Sequence, residues 1–514
     1  MKRISGAVVS TIALMAGFAA LSPVHAGKKN NTMTIALSEP IDGVAEFFAS
    51  SDESQVHSRA VYDRLLGVDH ENSKILPSLA TSWKQVDATT WELTLRDGIK
   101  FHDGSTFDAD DVVYTLNWAS DPAVKLRLKN RFSWISKAEK LGPNQVRIKT
   151  VEPYASALLT LAISVPIVPS DYHGAFEKKE DFEYKPIGTG SYKAISVDRN
   201  AGVVLEANVN YPQMNAVQPK PTVGKVVIKS IPDEQTRIAQ MLTDAVDLTR
   251  VVSTDVGAQM KADKRFAITA VNGLQYFYLY LDAADRSGVG ALKDAKVRQA
   301  IAHAIDRDAI RKEIIPGGPD AYAMKAVCIP FQIGCSSSVP VPAYDPARAR
   351  ALLKEAGKET GVEIELTALD RSRPVAEAIS GYLSRVGIKS TIKTITFTAY
   401  TKLQAEGKFQ ALAHIYGSGG VPDTGQIINF HFNNTIRDYA NNARINEIGT
   451  KIETMFDEAE RNKLMQEALD INNREAYVLP LSGAPQAFLH SSDLLLPSTT
   501  LNGYGITLNA VKWK

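Results

Sequence analysis

From residue 361 to residue 424 the spacing of apolar positions changes repeatedly. Residues 361–368 alternate, with Val362, Ile364, Leu366 and Ala368 on one side, which predicts a strand. Over 374–385 the apolar residues Val375, Ile379 and Leu383 share one helical face. Pro374 suits the first helical position, and Gly387 suits the residue just past the end. Residues 388–396 alternate again, and a helix over 399–406 leads to a third strand over 409–416. Strand, helix and strand joined by short links form a βαβ unit, so the strands are expected to be parallel.

The same reading covers the rest of the chain. Residues 32–37 form a short apolar strand, and 58–66 carry a helical pattern. Trp91, Leu93 and Leu95 alternate along a half-buried strand; Asp97-Gly98 and Asp103-Gly104 mark turns. Residues 108–117 read as a helix with acids in its first turn, where the helix dipole favours them. Residues 225–231, 234–244 and 246–252 repeat the strand–helix–strand order. Asp345-Pro346 opens another helix as N-cap and first residue, and Gly357 ends it. In Tyr276-Phe277-Tyr278-Leu279-Tyr280 the three tyrosines alternate onto one face.

In an open α/β sheet, ligands bind outside the carboxyl ends of the strands. Two loops of the 361–424 unit leave those ends. The first, 369–373, brings Arg371 and Arg373 beside a helix N-terminus, a place suited to anions. The second, 417–423, runs Gly417-Ser418-Gly419-Gly420-Val421-Pro422-Asp423 and lets a ligand approach its backbone closely. Either loop alone reads as solvated charge or a plain turn; two on one sheet edge make a binding cleft. Glu39, after strand 32–37, is a further candidate facing the ligand.

Composition narrows the class. The first 26 of 514 residues have the form of a secretory signal: Lys2 and Arg3, an apolar run, then Val24-His25-Ala26. The length suggests about three domains. A formal net charge of +1 gives no electrostatic reason to expect nucleic acid. Cys328 and Cys335 are the only cysteines. In an exported protein they are expected to form a structural disulfide, the alternative being two buried thiols. No Gly-x-Ser-x-Gly elbow is present, and the nine histidines are dispersed without metal-ligand spacing. His102-Asp103 is half a triad at most, set between turns, and Gly188-Thr189-Gly190 lacks the spacing of a phosphate loop.

Residues 76–83, Trp91 to Arg96, Gly98, Lys100 to Gly104, Phe107 and Ala109 to Val112 read together as one signature. That signature resembles the family 5 extracellular solute-binding proteins, the peptide, nickel and related receptors of ABC importers. Pro186 to Tyr192, Lys296 to Ile301 with Ala304 to Arg307, and Leu479-Pro480-Leu481 resemble further segments of that family. The resemblance implies a two-lobed α/β periplasmic-binding-protein fold (cluster C type) with a satellite domain. The main lobe would comprise 27–64, 184–283 and 479–514, the satellite 65–183 and the second lobe 284–478, with crossings near 283 and 479. It further implies a monomeric periplasmic receptor that closes over a peptide or peptide-like solute and delivers it to an inner-membrane permease, without cofactor, metal or catalysis. The rivals are an exported enzyme, or a non-transport receptor or chaperone on the same scaffold.

The resemblance also nominates residues. Members line their cleft from the strand of Tyr276 and Tyr278. Arg373 falls where similar dipeptide receptors place an arginine for the ligand carboxylate, which a guanidinium grips with two parallel hydrogen bonds. Those receptors carry an acid for the ligand amine after a tryptophan. This chain has Tyr416 in the aromatic position and Gly419 about where the acid belongs, with Asp423 a few residues on. The glycine-rich form looks more like relatives that take glutathione, opines or other substituted small molecules.

Overall fold

The alternation over 361–396 builds parallel strands. In the computed structural model, which describes residues 27–48, 53–69, 71–251, 253–417, 420–498 and 505–514, Val362–Leu369 pairs in parallel with Ile388–Ile395, Val362 opposite Ile388 and Leu369 opposite Ile395. Ala411–Gly417 joins the other side, also parallel, at Leu366 opposite Ala411. Helix Arg373–Ser384 connects the first two strands and buries Val375, Ile379 and Leu383. Gly387 then turns the chain at φ +90°, a conformation that a side chain would strain. The expected export signal, 1–26, lies outside the described residues.

Three sheets organise the chain. The second lobe has five strands in the order 388–395, 362–369, 411–417, 275–281, 478–483. The main lobe has seven, in the order 266–271, 486–491, 248–251, 32–37, 225–230, 202–207, 192–198. The satellite has four, between residues 80 and 150. Helix Pro346–Glu355 starts on Asp345, whose side chain accepts the Arg348 N–H. Helix Ala109–Ser120 starts on Asp108 in a capping box closed by Asp111. The helix expected at 58–66 is instead Ser54–Val61, and Leu66–Asp69 becomes a strand paired with Lys74–Pro77. A short apolar run fits both periods, and its pairing partner decides.

Sheet membership moves the crossings between lobes. Strand Gln275–Leu281 hydrogen-bonds to Ala411–Gly417 on one side and Val478–Gly483 on the other, inside the second lobe. Residues 275–283, read from sequence as main lobe, therefore belong to the second. The chain crosses at 272–274 and 484–485 rather than near 283 and 479.

Main lobe and satellite are welded together, because one continuous apolar cluster runs through both, including Ile35, Val226, Leu93 and Val146. Within the main lobe, beside the junction with the satellite, Gly190 donates its N–H to the Val61 carbonyl at 2.9 Å. A Cβ at Gly188 would stand 2.1 Å from that carbonyl oxygen, so only glycine fits. Thr189 donates its hydroxyl to buried Asp63 at 2.9 Å. His102 sits in the same junction, its Nε2 3.0 Å from the Gly190 carbonyl. The second lobe has separate clusters on the two faces of its sheet. Among the described residues, no helix is long and apolar enough to cross a membrane.

Cys328 and Cys335 are bonded, with Cα atoms 5.6 Å apart. The ring they close is stitched to the end of the glycine-rich loop. Ile333 donates its N–H to the Pro422 carbonyl at 2.9 Å, and Thr424 donates to the Ile333 carbonyl at 3.0 Å. Replacing both cysteines with alanine is expected to lower unfolding free energy by about 2–3 kcal/mol, the chain-entropy value for so short a ring. Urea denaturation checks this, and an unchanged midpoint counts against it.

Candidate functional site

The parallel strands of the second lobe end together, so three loops leave one edge. The register sets Leu369 beside Ile395, and the residues that follow, Asp370-Arg371 and Thr396-Phe397, leave side by side. Asp370–Ser372 makes a single tight turn before helix Arg373–Ser384. Ser372 is buried while Arg371 and Arg373 stand exposed on either side of it. Arg373 holds Glu377 at 2.8 Å, one turn along its own helix. Such an exposed pair is worth about 0.3–0.5 kcal/mol and gives way readily to a better anion. Arg371 is within electrostatic reach of His414 in strand 411–417. Burial, and then the Arg371 charge, push the His414 imidazole down to about 3. Phe397 is 62% exposed at the same edge.

The tyrosine face takes a different direction. Tyr276, Tyr278 and Tyr280 do share one face, as the alternation predicts, but that face is inside the second lobe, with Tyr276 and Tyr278 fully buried. Tyr416 joins them, its ring 5.2 Å from Tyr276 and 4.7 Å from Phe430. At their centre is His431, whose Nε2 is 2.8 Å from the Tyr276 hydroxyl. Burial pushes its imidazole down to about 3, so it is neutral and shares one hydrogen with that hydroxyl. The packing alternative describes these three tyrosines in this structure. His431 was not singled out from sequence, since a lone histidine in a helix carries no spacing signal.

The second loop opens at Gly417, which is exposed, and turns at Gly420 with φ +82°. Ser418 and Gly419 lie outside the described residues. Asp423 is 1% exposed and caps helix Thr424–His431 by accepting the Gly425 N–H at 2.7 Å. Its carboxylate also holds Arg461 at 2.9 Å and accepts the Ser156 hydroxyl at 2.9 Å. Both oxygens are therefore engaged by the protein itself.

In the main lobe, strand Thr32–Leu37 ends at Ser38-Glu39. Buried Glu53 gathers that turn, accepting the N–H groups of Ser38 at 2.7 Å and Glu39 at 2.8 Å. The Glu39 carboxylate accepts the Glu53 N–H in return at 3.4 Å. Arg250, from the neighbouring strand end, stands 3.9 Å from Glu53. The carboxyl ends of both lobes thus present charged turns. Among the described residues no group of three His, Cys, Asp or Glu side chains could hold a metal ion.

Residues 74–438 match the family model for bacterial extracellular solute-binding proteins, family 5. The chain belongs to that family. It is an α/β solute-binding protein of two lobes, and the family is one of binding proteins. Among its curated family 5 relatives, the dipeptide-binding protein of Escherichia coli is 28% identical over 408 residues, covering 74% of each chain. The glutathione-binding protein GsiB of Salmonella paratyphi A is 27% identical over 482 residues, 88% of this chain and 89% of that one. Among solved structures, the substrate-binding protein CtaP of Listeria monocytogenes shares the fold with TM-score 0.81 at 20% identity, covering 94% of this chain and 99% of that one.

Proposed function

We propose that this family 5 protein is the periplasmic receptor of an ABC importer, acting as a monomer. It captures an anionic, peptide-like small solute between its lobes and hands it to an inner-membrane permease. The observation that carries the choice of solute is a charge asymmetry on the second lobe. Arg371 and Arg373 flank a helix N-terminus at the strand ends, while Asp423, the one acid in the second loop, is buried against Arg461. A ligand meeting this edge finds two guanidiniums and no described acid of the second loop for its amine. Net-negative solutes such as glutathione or acidic peptides satisfy that pattern better than neutral dipeptides do, and the glutathione-binding relatives support the same direction.

The test is calorimetric titration with glutathione, an acidic tripeptide and a neutral dipeptide. The two anionic solutes are expected to bind more tightly. Tighter binding of the neutral dipeptide would overturn the choice of solute, and turnover of any of the three would overturn capture itself. For the solute that binds, Arg373→Ala is expected to cost about 1.5–3 kcal/mol, the range for a charged hydrogen bond. Arg371→Ala provides the comparison. Full affinity in both variants would remove this edge from the site.

A further inference from the structure

Among the described residues, the satellite touches the second lobe at four hydrogen bonds that belong to no sheet or helix, one of them from the Gln426 side-chain amide to the Tyr154 hydroxyl at 3.5 Å. Ser156 donates its hydroxyl to Asp423 at 2.9 Å. Ala155 donates its N–H to the Glu453 carbonyl at 2.8 Å. Ser73, at the tip of the hairpin formed by Leu66–Asp69 and Lys74–Pro77, donates its hydroxyl to the Phe331 carbonyl at 2.7 Å. Val421, from the glycine-rich loop, packs into the cluster shared by satellite and main lobe.

The rest of the architecture gives these contacts a consequence. Satellite and main lobe share one core, so they move as one body. The second lobe is tied to that body by two crossings of two or three residues, 272–274 and 484–485. A swing of the second lobe about those crossings must part it from the satellite. Two details mark the junction as built. Asp423 is already neutralised by Arg461 within its own lobe, yet the same oxygen that Arg461 holds at 2.9 Å also accepts the Ser156 hydroxyl from the satellite. Ser73 holds φ +58°, a left-handed conformation that a non-glycine residue adopts against a steric penalty. That strain is retained where the Ser73 hydroxyl meets the cystine ring.

We propose that this junction is a latch: the satellite fastens the closed second lobe independently of solute, and Ser156 and Ser73 are positioning residues that set the balance between closed and open forms. Its purpose rests on the capture reading above, but its measurement needs no solute. In the solute-free mature protein, Ser156→Ala is expected to raise hydrogen exchange at the Ala155 amide about tenfold, the effect of losing one charged hydrogen bond. The radius of gyration from solution scattering should rise with it. Exchange at the Gly190 amide, bonded within the main lobe, should stay unchanged and serves as the internal control. Ser73→Gly removes the other contact while relieving the backbone, so it should open the protein without lowering its melting temperature. Unchanged scattering together with unchanged Ala155 exchange in both variants would show a fixed junction and overturn the latch. Absence of solute binding by the unmodified protein would instead overturn the capture reading and leave this result standing.

Discussion

Asp423→Ala is expected to destabilise the second lobe by about 3–5 kcal/mol, the range for breaking a buried ion pair from one side. Arg461 is buried and reaches Asp423 at 2.9 Å; its other protein partner here is the Ile452 carbonyl, accepting from Nε at 2.8 Å. Removing the carboxylate takes away the counter-charge that touches this buried guanidinium. The same substitution strips the cap from helix Thr424–His431, a loss of about 1 kcal/mol. Urea unfolding of the mature protein reads the change as a lower midpoint at constant slope. The double variant Asp423→Ala, Arg461→Met should recover most of the loss, since it removes the orphaned charge along with its partner. A midpoint unmoved in Asp423→Ala would show that the pair is hydrated and contributes little.

The parallel second-lobe strands were legible because their information is local. Val362, Ile364 and Leu366 alternate, Val375, Ile379 and Leu383 share a helical face, and Pro374 and Gly387 mark the ends. Asp345 and Asp108 were legible as caps for the same reason. What sequence withheld was which side of an element meets which neighbour. Alternation put Tyr276, Tyr278 and Tyr280 on one face, but nothing local says whether that face meets solvent or a second layer of helices. Its hydrogen-bond partners, 411–417 and 478–483, lie more than a hundred residues downstream. The role of Asp423 was hidden likewise. An acid at the end of a glycine-rich loop looks available for a ligand until Arg461 and Ser156, 38 and 267 residues away in sequence, are seen to occupy it. Arg371 and Arg373 were legible as exposed charges at a helix start, since solvent exposure beside a turn needs no distant partner.

Stability is expected to fall steeply as pH drops from about 6.5 towards 4, and histidines set the sign. Burial pushes His173, His414 and His431 down to about 3 and His102 to about 4; His57 and His490 are also lowered by burial. Below pH 6.5 the unfolded chain binds protons at these positions and the folded chain does not, so each unit of acidification favours unfolding by up to about 1.4 kcal/mol per histidine. Five acids raised by burial oppose this, Asp63, Asp111 and Glu453 among them. Burial raises Glu183, which accepts the N–H groups of Ala45, Phe47 and Phe48, to about 7, and raises Asp247 to about 6. Folding retains their protons where unfolding releases them, so they favour the fold as pH falls through 7 and 6 towards the ordinary carboxylate range. Among the described residues the six lowered histidines outnumber the five raised acids, and the histidines prevail. Thermal unfolding across pH 7.5 to 4 should therefore show a falling melting temperature, with net proton uptake on unfolding near pH 5. His431→Gln offers the Tyr276 hydroxyl an amide that can donate or accept and no longer titrates, so it should remove close to one proton from that uptake. A flat profile from pH 7 to 5 would mean that the buried imidazoles gain protons without leaving the fold, and the neutral state assigned to His431 would be wrong.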